Sequence, residues 1–459
     1  MESASKPARS VKDMTKGEPF RLILFFSIPL LLGNVFQQFY SMVDTIIVGK
    51  IIGTQALAAV GTTGPLNFLV LGFASGITSG FAVLVAQRFG AGDEKGMRRA
   101  VAAAAELCVL FTVLLTLFST LGAKALLRMI NTPDDIFLDA YRYIVVIFGG
   151  LATMMLYNML ACILRALGDS KTPLYFLIIS SVLNIVLDLV FILNFNMGVA
   201  GAAWATVISQ GVSGVLCFAY MMKKFPMLHL DREDWKPERW MYGRHLFVGL
   251  PMAFQFSITA VGTVILQGAL NLFGSAKIAA FTAASKVEQL VTQPAGTFGV
   301  TMANYSGQNL GADRIDRIKE GVTKCTILTL LFAGLASAIL FLFGRPLTSL
   351  FLEGNQPEVM DAALTYLKIM AVFFPFLNVI FVYRNMLQGV GRSFMPLMAG
   401  VFELIARTVA AFTLPQAIGF EGICLAGPLA WVSAAVPLCI TYFIVIKKMM
   451  CEWKTRQIA

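Results

Sequence analysis

The sequence is poor in charge and almost empty of histidine. Only 14% of its 459 residues are charged and 57% are hydrophobic, whereas an ordinary soluble domain carries about 25% charged residues. That balance excludes a soluble globular protein and fits a polytopic membrane protein. There are two histidines, His229 and His245, both near one polar stretch. A histidine-built metal centre inside the apolar runs is therefore excluded. The seven cysteines (108, 162, 217, 325, 424, 439 and 451) lie mostly within hydrophobic segments and form no CxxC pair. They read as small buried hydrophobes, not as a disulfide framework or a zinc site. No histidine lies in the core of any apolar run, so an intramembrane enzyme would lack its reactive groups. No cofactor is expected. The net charge of +10 is not a nucleic-acid signature, because the Lys and Arg sit in short loops between apolar runs.

Those runs predict an all-α polytopic membrane protein with twelve spans, near 21–48, 53–86, 97–122, 136–163, 172–195, 199–223, 244–271, 276–304, 318–344, 358–388, 393–416 and 420–448. Many exceed the roughly 20 residues a bilayer needs, which tilt absorbs. Residues 1–20 form a polar tail with Lys6, Arg9, Lys12 and Lys16, and the run that follows is too long and too interrupted for a cleaved signal. Cations mark alternate loops: Arg88, Lys95, Arg98 and Arg99 after span 2, Arg165 and Lys171 after span 4, Arg314, Arg317 and Lys319 after span 8. An even number of spans with both termini cytoplasmic satisfies the positive-inside rule.

The chain repeats itself. GTQALAAV at 53–60 matches GSAKIAAF at 274–281, QRFGA at 87–91 matches QNLGA at 308–312, and GDSKTP at 168–173 matches GRSFMP at 391–396. GVAG at 198–201 matches GFEG at 419–422, and Pro29 matches Pro251. The offset stays between 221 and 223 residues throughout, so the matches mark one duplication. Each half holds six spans, which makes the halves parallel repeats about an axis along the membrane normal. The predicted organisation is a tail (1–20), an N-terminal six-helix bundle (21–223), a cytoplasmic linker (224–243), a C-terminal six-helix bundle (244–448) and a second tail (449–459). Gly72, Gly76 and Gly80 form a small-residue stripe on span 2, which predicts close helix packing.

The polar residues inside the spans are few. Gln37, Tyr40, Ser41 and Asp44 share one face of span 1. Asn184 and Asp188 lie one turn apart on span 5. A carboxylate at the centre of a bilayer costs about 2.5–3.5 kcal/mol or more. Such an acid faces a cavity, has a partner, or binds a proton or cation. Two acids close together cannot both stay ionised easily, so Asp44, Asn184 and Asp188 are candidates for an ion-coupling site. The alternative is that polar neighbours lock both acids and they only hold the bundle together. The second half differs: span 7 has no acid, and the position matching Asp188 is near Ala411. It carries instead Lys286 and Glu288 on span 8, and Glu403 and Arg407 on span 11. Glu403 and Arg407 are spaced for an intrahelical ion pair, with Lys286 a possible counter-ion to Glu288 or Glu403. Structural locking and substrate contact both remain open for these four.

VDTIIVGKIIGTQALAAVG at 43–61, AQRFGAGD at 86–93 and ALGDSKTP at 166–173, with twelve spans in two repeats, make nearly the whole chain resemble the multidrug and toxic compound extrusion (MATE) transporters. The resemblance implies an antiporter that exports organic, often cationic and amphipathic, compounds against a proton or sodium gradient. It is nearer the DinF-like branch, in which a span-1 Asp and a span-5 Asn and Asp couple the ion; these match Asp44, Asn184 and Asp188. A span-1 Gln and Tyr of that pocket match Gln37 and Tyr40. The NorM-like branch uses acids in spans 7 and 10, which this chain lacks apart from Asp361 near the outer end of span 10. The expected partners are small organic substrates and membrane lipid, with no nucleic acid, and the expected state is a monomer in the cell membrane. A lipid-linked oligosaccharide flippase of the same superfamily is the nearest alternative; those usually have more spans and a strongly cationic cavity. A channel suits two quasi-equivalent halves with different charged sites less well than alternating access does.

Overall fold

Apolar runs of this length meet no water along their backbone, so helix is the structure that satisfies their N–H and C=O groups. The computed structural model describes residues 13–351 and 357–458, and every regular element among them is helical. Lys6, Arg9 and Lys12 of the predicted tail, and most of residues 1–20, lie outside the described residues. The helices are α1 (Pro19–Ile47), α2 (Thr54–Thr62), α3 (Gly64–Gly90), α4 (Glu94–Met129), α5 (Asp134–Gly149), α6 (Leu151–Ala166) and α7 (Lys171–Leu189), followed by α8 (Gly198–Lys224), α9 (Arg239–Leu270), α10 (Gly274–Gly311), α11 (Ile315–Ser349), α12 (Pro357–Gly389), α13 (Phe394–Ile418) and α14 (Phe420–Ile458).

Among the described residues, ten stretches are long and apolar enough to cross a membrane, and the pair α5–α6, bent by 47°, makes eleven. One of the ten is Arg239–Gly311, 73 residues. It is interrupted by a 3-10 turn at Asn271–Phe273 and by Gly274 at φ 79°. The expected second span is two helices, broken where Pro65 starts α3. The expected fourth span breaks at Gly150, where a Cβ would run into the Val207 side chain.

Two motifs act as corners. In AQRFGAGD, Gly92 takes φ 67°, and Asp93 then caps α4, accepting from the Gly96 N–H at 2.8 Å and from Arg88 Nη1 at 2.9 Å. In ALGDSKTP, Gly168 takes φ 85°, and Asp169 Oδ1 accepts from the backbone N–H of Lys171 and Thr172 at 3.0 Å each. Glycine, with no Cβ, adopts such φ values at no steric cost, and a carboxylate on otherwise unpaired N–H groups starts the next helix.

By contacts the chain divides into two units, and the division does not fall in the 224–243 linker. Unit 1 is centred on Ile28–Ser257, and unit 2 comprises Gly17–Ser27 and the chain from Ile258 onward. The first turns of α1 therefore count with unit 2 and the first half of α9 with unit 1. The glycine stripe explains the second of these memberships. A Cβ on Gly76 would lie 2.5 Å from the Ala253 Cα, and one on Gly80 would fall on the Cα of Gly249. Hence α3 and the early part of α9 pack backbone to backbone, as small residues allow. Within unit 1 two clusters hold most of the apolar core. One joins α3, the first half of α4 and α6. The other joins α2, the end of α4, α5 and the start of α8. Among the unit's buried polar side chains, Thr172, Ser180, Ser181, Asn184 and Asp188 lie on α7, and Ser209 and Ser213 on α8.

Candidate functional site

Asp44 lies in the last turn of α1, and Asp188 is the last residue but one of α7. Each helix then passes into a π-helical turn, Val48–Ile52 and Val190–Asn194 respectively. Such turns widen the helix and release backbone groups, and they are frequent at functional sites. The two carboxyl groups lie within hydrogen-bond reach of each other. Asp188 and Asn184 have no exposed surface. With its amide turned to suit both neighbours, Asn184 donates to Asp188 Oδ2 at 2.9 Å and accepts from the Thr206 N–H at 3.1 Å. The opposite orientation meets the Thr206 hydroxyl at 3.3 Å and leaves that carboxylate oxygen without the donor. Oδ1 of Asp44 and Oδ1 of Asp188 are buried with no hydrogen-bond partner among the described residues. Buried orphan acceptors of this kind call for a donor or a cation.

Tyr40, one turn before Asp44, reaches the Thr206 hydroxyl. Tyr143 on α5 is buried, and close enough to Asp44, Tyr40 and Asp188 to feel their charge. It belongs to the cluster although sequence reasoning missed it. Its flanks, YRY at 141–143, look like an ordinary amphipathic stretch, and the bend at Gly150 that helps to aim α5 leaves no charge signal. Next to the cluster unit 1 holds a cavity of about 300 Å³, lined among others by Asn34, Gln37, Tyr40, Asn158, Arg165 and Thr206. Gln37 thus faces this cavity from α1. Ser41 is exposed and is not among the lining residues. Arg165 was read from sequence as a topology cation; its guanidinium lines the cavity and donates to Cys162 Sγ at 3.1 Å.

The charges of unit 2 pair differently from the sequence expectation. Glu403 does not pair along α13 with Arg407. Its Oε1 accepts from Arg384 Nη2 on α12 at 2.9 Å, with both side chains buried. Spacing of four residues permits an intrahelical pair, but a guanidinium from a packed neighbour arrives with less solvent between. Lys286 is exposed and forms no ion pair among the described residues, so it is not the counter-ion of Glu288 or of Glu403. Glu288 on α10 accepts instead from the Tyr366 hydroxyl on α12, and Arg407 is its electrostatic neighbour. The offset of 222 that relates Pro29 to Pro251 relates Asp44 to Leu266, and the offset of 223 that relates Gly168 to Gly391 relates Asp188 to Ala411. Ala411 belongs to a small apolar cluster with Ala269, Leu270, Ala410, Ile423 and Ala426, and Leu266 packs against it. Where unit 1 has two acids, unit 2 has a dry hydrocarbon contact. Among the described residues no three His, Cys, Asp or Glu side chains gather as metal ligands.

A family model described as MatE matches residues 29–190 and again 251–413, in step with the internal repeat. The chain is 30% identical over 396 residues, 85% of its own length and 87% of the other's, to the probable multidrug resistance protein YpnP of Bacillus subtilis (strain 168). It is 27% identical to the probable multidrug resistance protein YoeA of the same organism, over 100% of this chain and 99% of that one. Among solved structures, a MOP superfamily transporter from Pyrococcus furiosus Vc1 (DSM3638) superposes with a TM-score of 0.90 at 23% identity, covering 97% of this chain and 100% of that one. At that identity the likeness speaks for the fold.

Proposed function

Because the chain belongs to the MatE family, with both halves matched, we propose that it is a multidrug efflux transporter of the cell membrane that exports organic, often cationic and amphipathic, compounds in exchange for an ion. The names of its relatives in Bacillus subtilis support multidrug export, and the protein is a transporter rather than an enzyme. We count the 73-residue stretch Arg239–Gly311 as two passes, since a single helix of that length would span about 110 Å against a hydrocarbon core of about 30 Å. The twelve passes that result fit cytoplasmic termini and a monomer working by alternating access.

One observation carries the coupling: the Asp44 and Asp188 carboxyls within hydrogen-bond reach, each with a buried oxygen lacking a partner among the described residues. Two carboxylates in low dielectric repel strongly, so one proton shared between them is the economical state. Taking up a second proton neutralises the pair; losing it leaves one negative charge that a cationic substrate or a returning ion must answer. Asn184 supports the second acid by donating to it. This arrangement supports a reading nearer the DinF-like branch than the NorM-like one. A flippase for lipid-linked oligosaccharide is served less well by a bundle that holds two acids. In proteoliposomes, Asp44→Asn and Asp188→Asn are each expected to lower gradient-driven dye export at least tenfold while the protein still inserts and purifies. Full export by both variants would sink the coupling site.

A further inference from the structure

The offset of 223 that relates Gly168 to Gly391 also relates Tyr143 to Tyr366 and Asn184 to Arg407; the offset of 222 from Pro29 relates Tyr40 to Gly262. Three positions of the unit 1 acid cluster thus carry, in unit 2, the same tyrosine, a guanidinium and a missing side chain. These three are gathered in the structure. Arg407 and Tyr366 are electrostatic neighbours of Glu288 and of each other. A Cβ on Gly262 would stand 2.9 Å from Arg407 Nη1, so the absence of a side chain there is what lets the guanidinium occupy the place.

We propose that Arg407, with Glu288 and Tyr366 beside it, forms a second ligand site, in unit 2, that receives an anionic group, a carboxylate or a phosphate, carried by an amphipathic organic molecule. An arginine inside a span needs an answering acceptor, because an unanswered one costs about 2.5–3.5 kcal/mol or more. The protein supplies that acceptor incompletely. Glu403, one turn away on the same helix, is committed to Arg384 at 2.9 Å. Glu288 accepts from Tyr366 and stands beyond ion-pair distance of Arg407. Arg407 Nε is buried without a hydrogen-bond partner among the described residues. Both Arg407 and Glu288 keep part of their surface exposed, so neither is sealed in the apolar core. A planar guanidinium fork matches a carboxylate or phosphate with two parallel hydrogen bonds. Glu288 nearby weakens that grip, which suits a site that must also release. The site serves the transporter reading, yet its ligand can be measured without transport.

The test is fluorescence anisotropy on the purified full-length protein in detergent, with carboxyfluorescein as the anionic probe and rhodamine 6G as the cationic one. Wild-type protein is expected to bind carboxyfluorescein. In Arg407→Gln the ratio of carboxyfluorescein to rhodamine 6G affinity should fall at least tenfold. Gly262→Ala keeps every charge but displaces the fork, and should lower the ratio in the same direction. Displacement of carboxyfluorescein by phosphatidylglycerol in wild type, absent in Arg407→Gln, would support the site with lipid as the source of the anion. Lack of displacement, with the ratio still falling, would support it with a solute as the source. No carboxyfluorescein binding by wild type, or an unchanged ratio in Arg407→Gln, overturns the proposal. Anion binding that persists in a protein showing no gradient-driven export would fail the transporter reading and leave this site standing.

Discussion

Asp188 and Glu403 are both nearly inaccessible acids, yet their surroundings assign them opposite tasks. Asp188 faces another carboxyl and an amide; Glu403 faces an arginine at 2.9 Å. The second arrangement is self-neutralised and rigid, so Arg384–Glu403 is a lock between α12 and α13. Breaking a buried pair by removing one partner costs about 3–5 kcal/mol, whereas replacing both with apolar residues of similar size is often neutral. Glu403→Met is therefore expected to lower the melting temperature of the purified protein, and Arg384→Met with Glu403→Met to restore most of it. Equal melting of wild type and the single variant would refute the lock. Asp44, Asn184 and Asp188 were legible in the sequence because a charge amid Val, Ile and Leu has few explanations. Arg384 was not legible as the partner of Glu403, because spacing along one helix is visible in sequence and the approach of a second helix is not. Tyr143 escaped for the same reason.

At the scale of elements, the contact between α3 and the early part of α9 is the one whose sequence signature and geometry agree most directly. Gly72, Gly76 and Gly80 recur every fourth residue, and the structure spends that stripe on Phe256, Ala253 and Gly249 in turn. No cavity is left for a side chain, so adding one forces the helices apart. Overpacking of this sort costs about 1–3 kcal/mol. Gly80→Leu is expected to lower the yield of monodisperse protein and its melting temperature. Gly334→Ala makes a sound control: nothing lies within 4 Å of the added carbon, and alanine favours helix over glycine by about 1 kcal/mol. If Gly80→Leu melts like Gly334→Ala, the close approach does not hold. Helix ends were less legible than helix faces. The breaks at Gly150 and before Gly64 depend on what packs beside them, here Val207 at the first, and hydropathy averages across both.

For the molecule as a whole, the duplication read from five short matches is upheld by a family model that matches twice, but the two halves have diverged in chemistry. Leu266 and Ala411 stand where Asp44 and Asp188 stand in the first half, and they are packed in hydrocarbon. The contrast bears on which ion would drive the proposed transport. A sodium ion is held by several oxygen ligands at once and keeps its carboxylates ionised. The unit 1 cluster instead brings two carboxyls within hydrogen-bond reach, a geometry that one shared proton satisfies without further ligands. The expected outcome in proteoliposomes follows. An imposed proton gradient, with sodium absent on both sides, drives rhodamine 6G across the membrane, and a sodium gradient at equal pH on both sides does not. The proton-driven flux should collapse in Asp188→Asn, because that variant leaves one carboxyl with no acidic partner to share its proton. Should a sodium gradient alone drive the dye, and Asp188→Asn abolish that flux, the same two acids would be ligands of a metal cation, and the shared proton would be the wrong description of the pair.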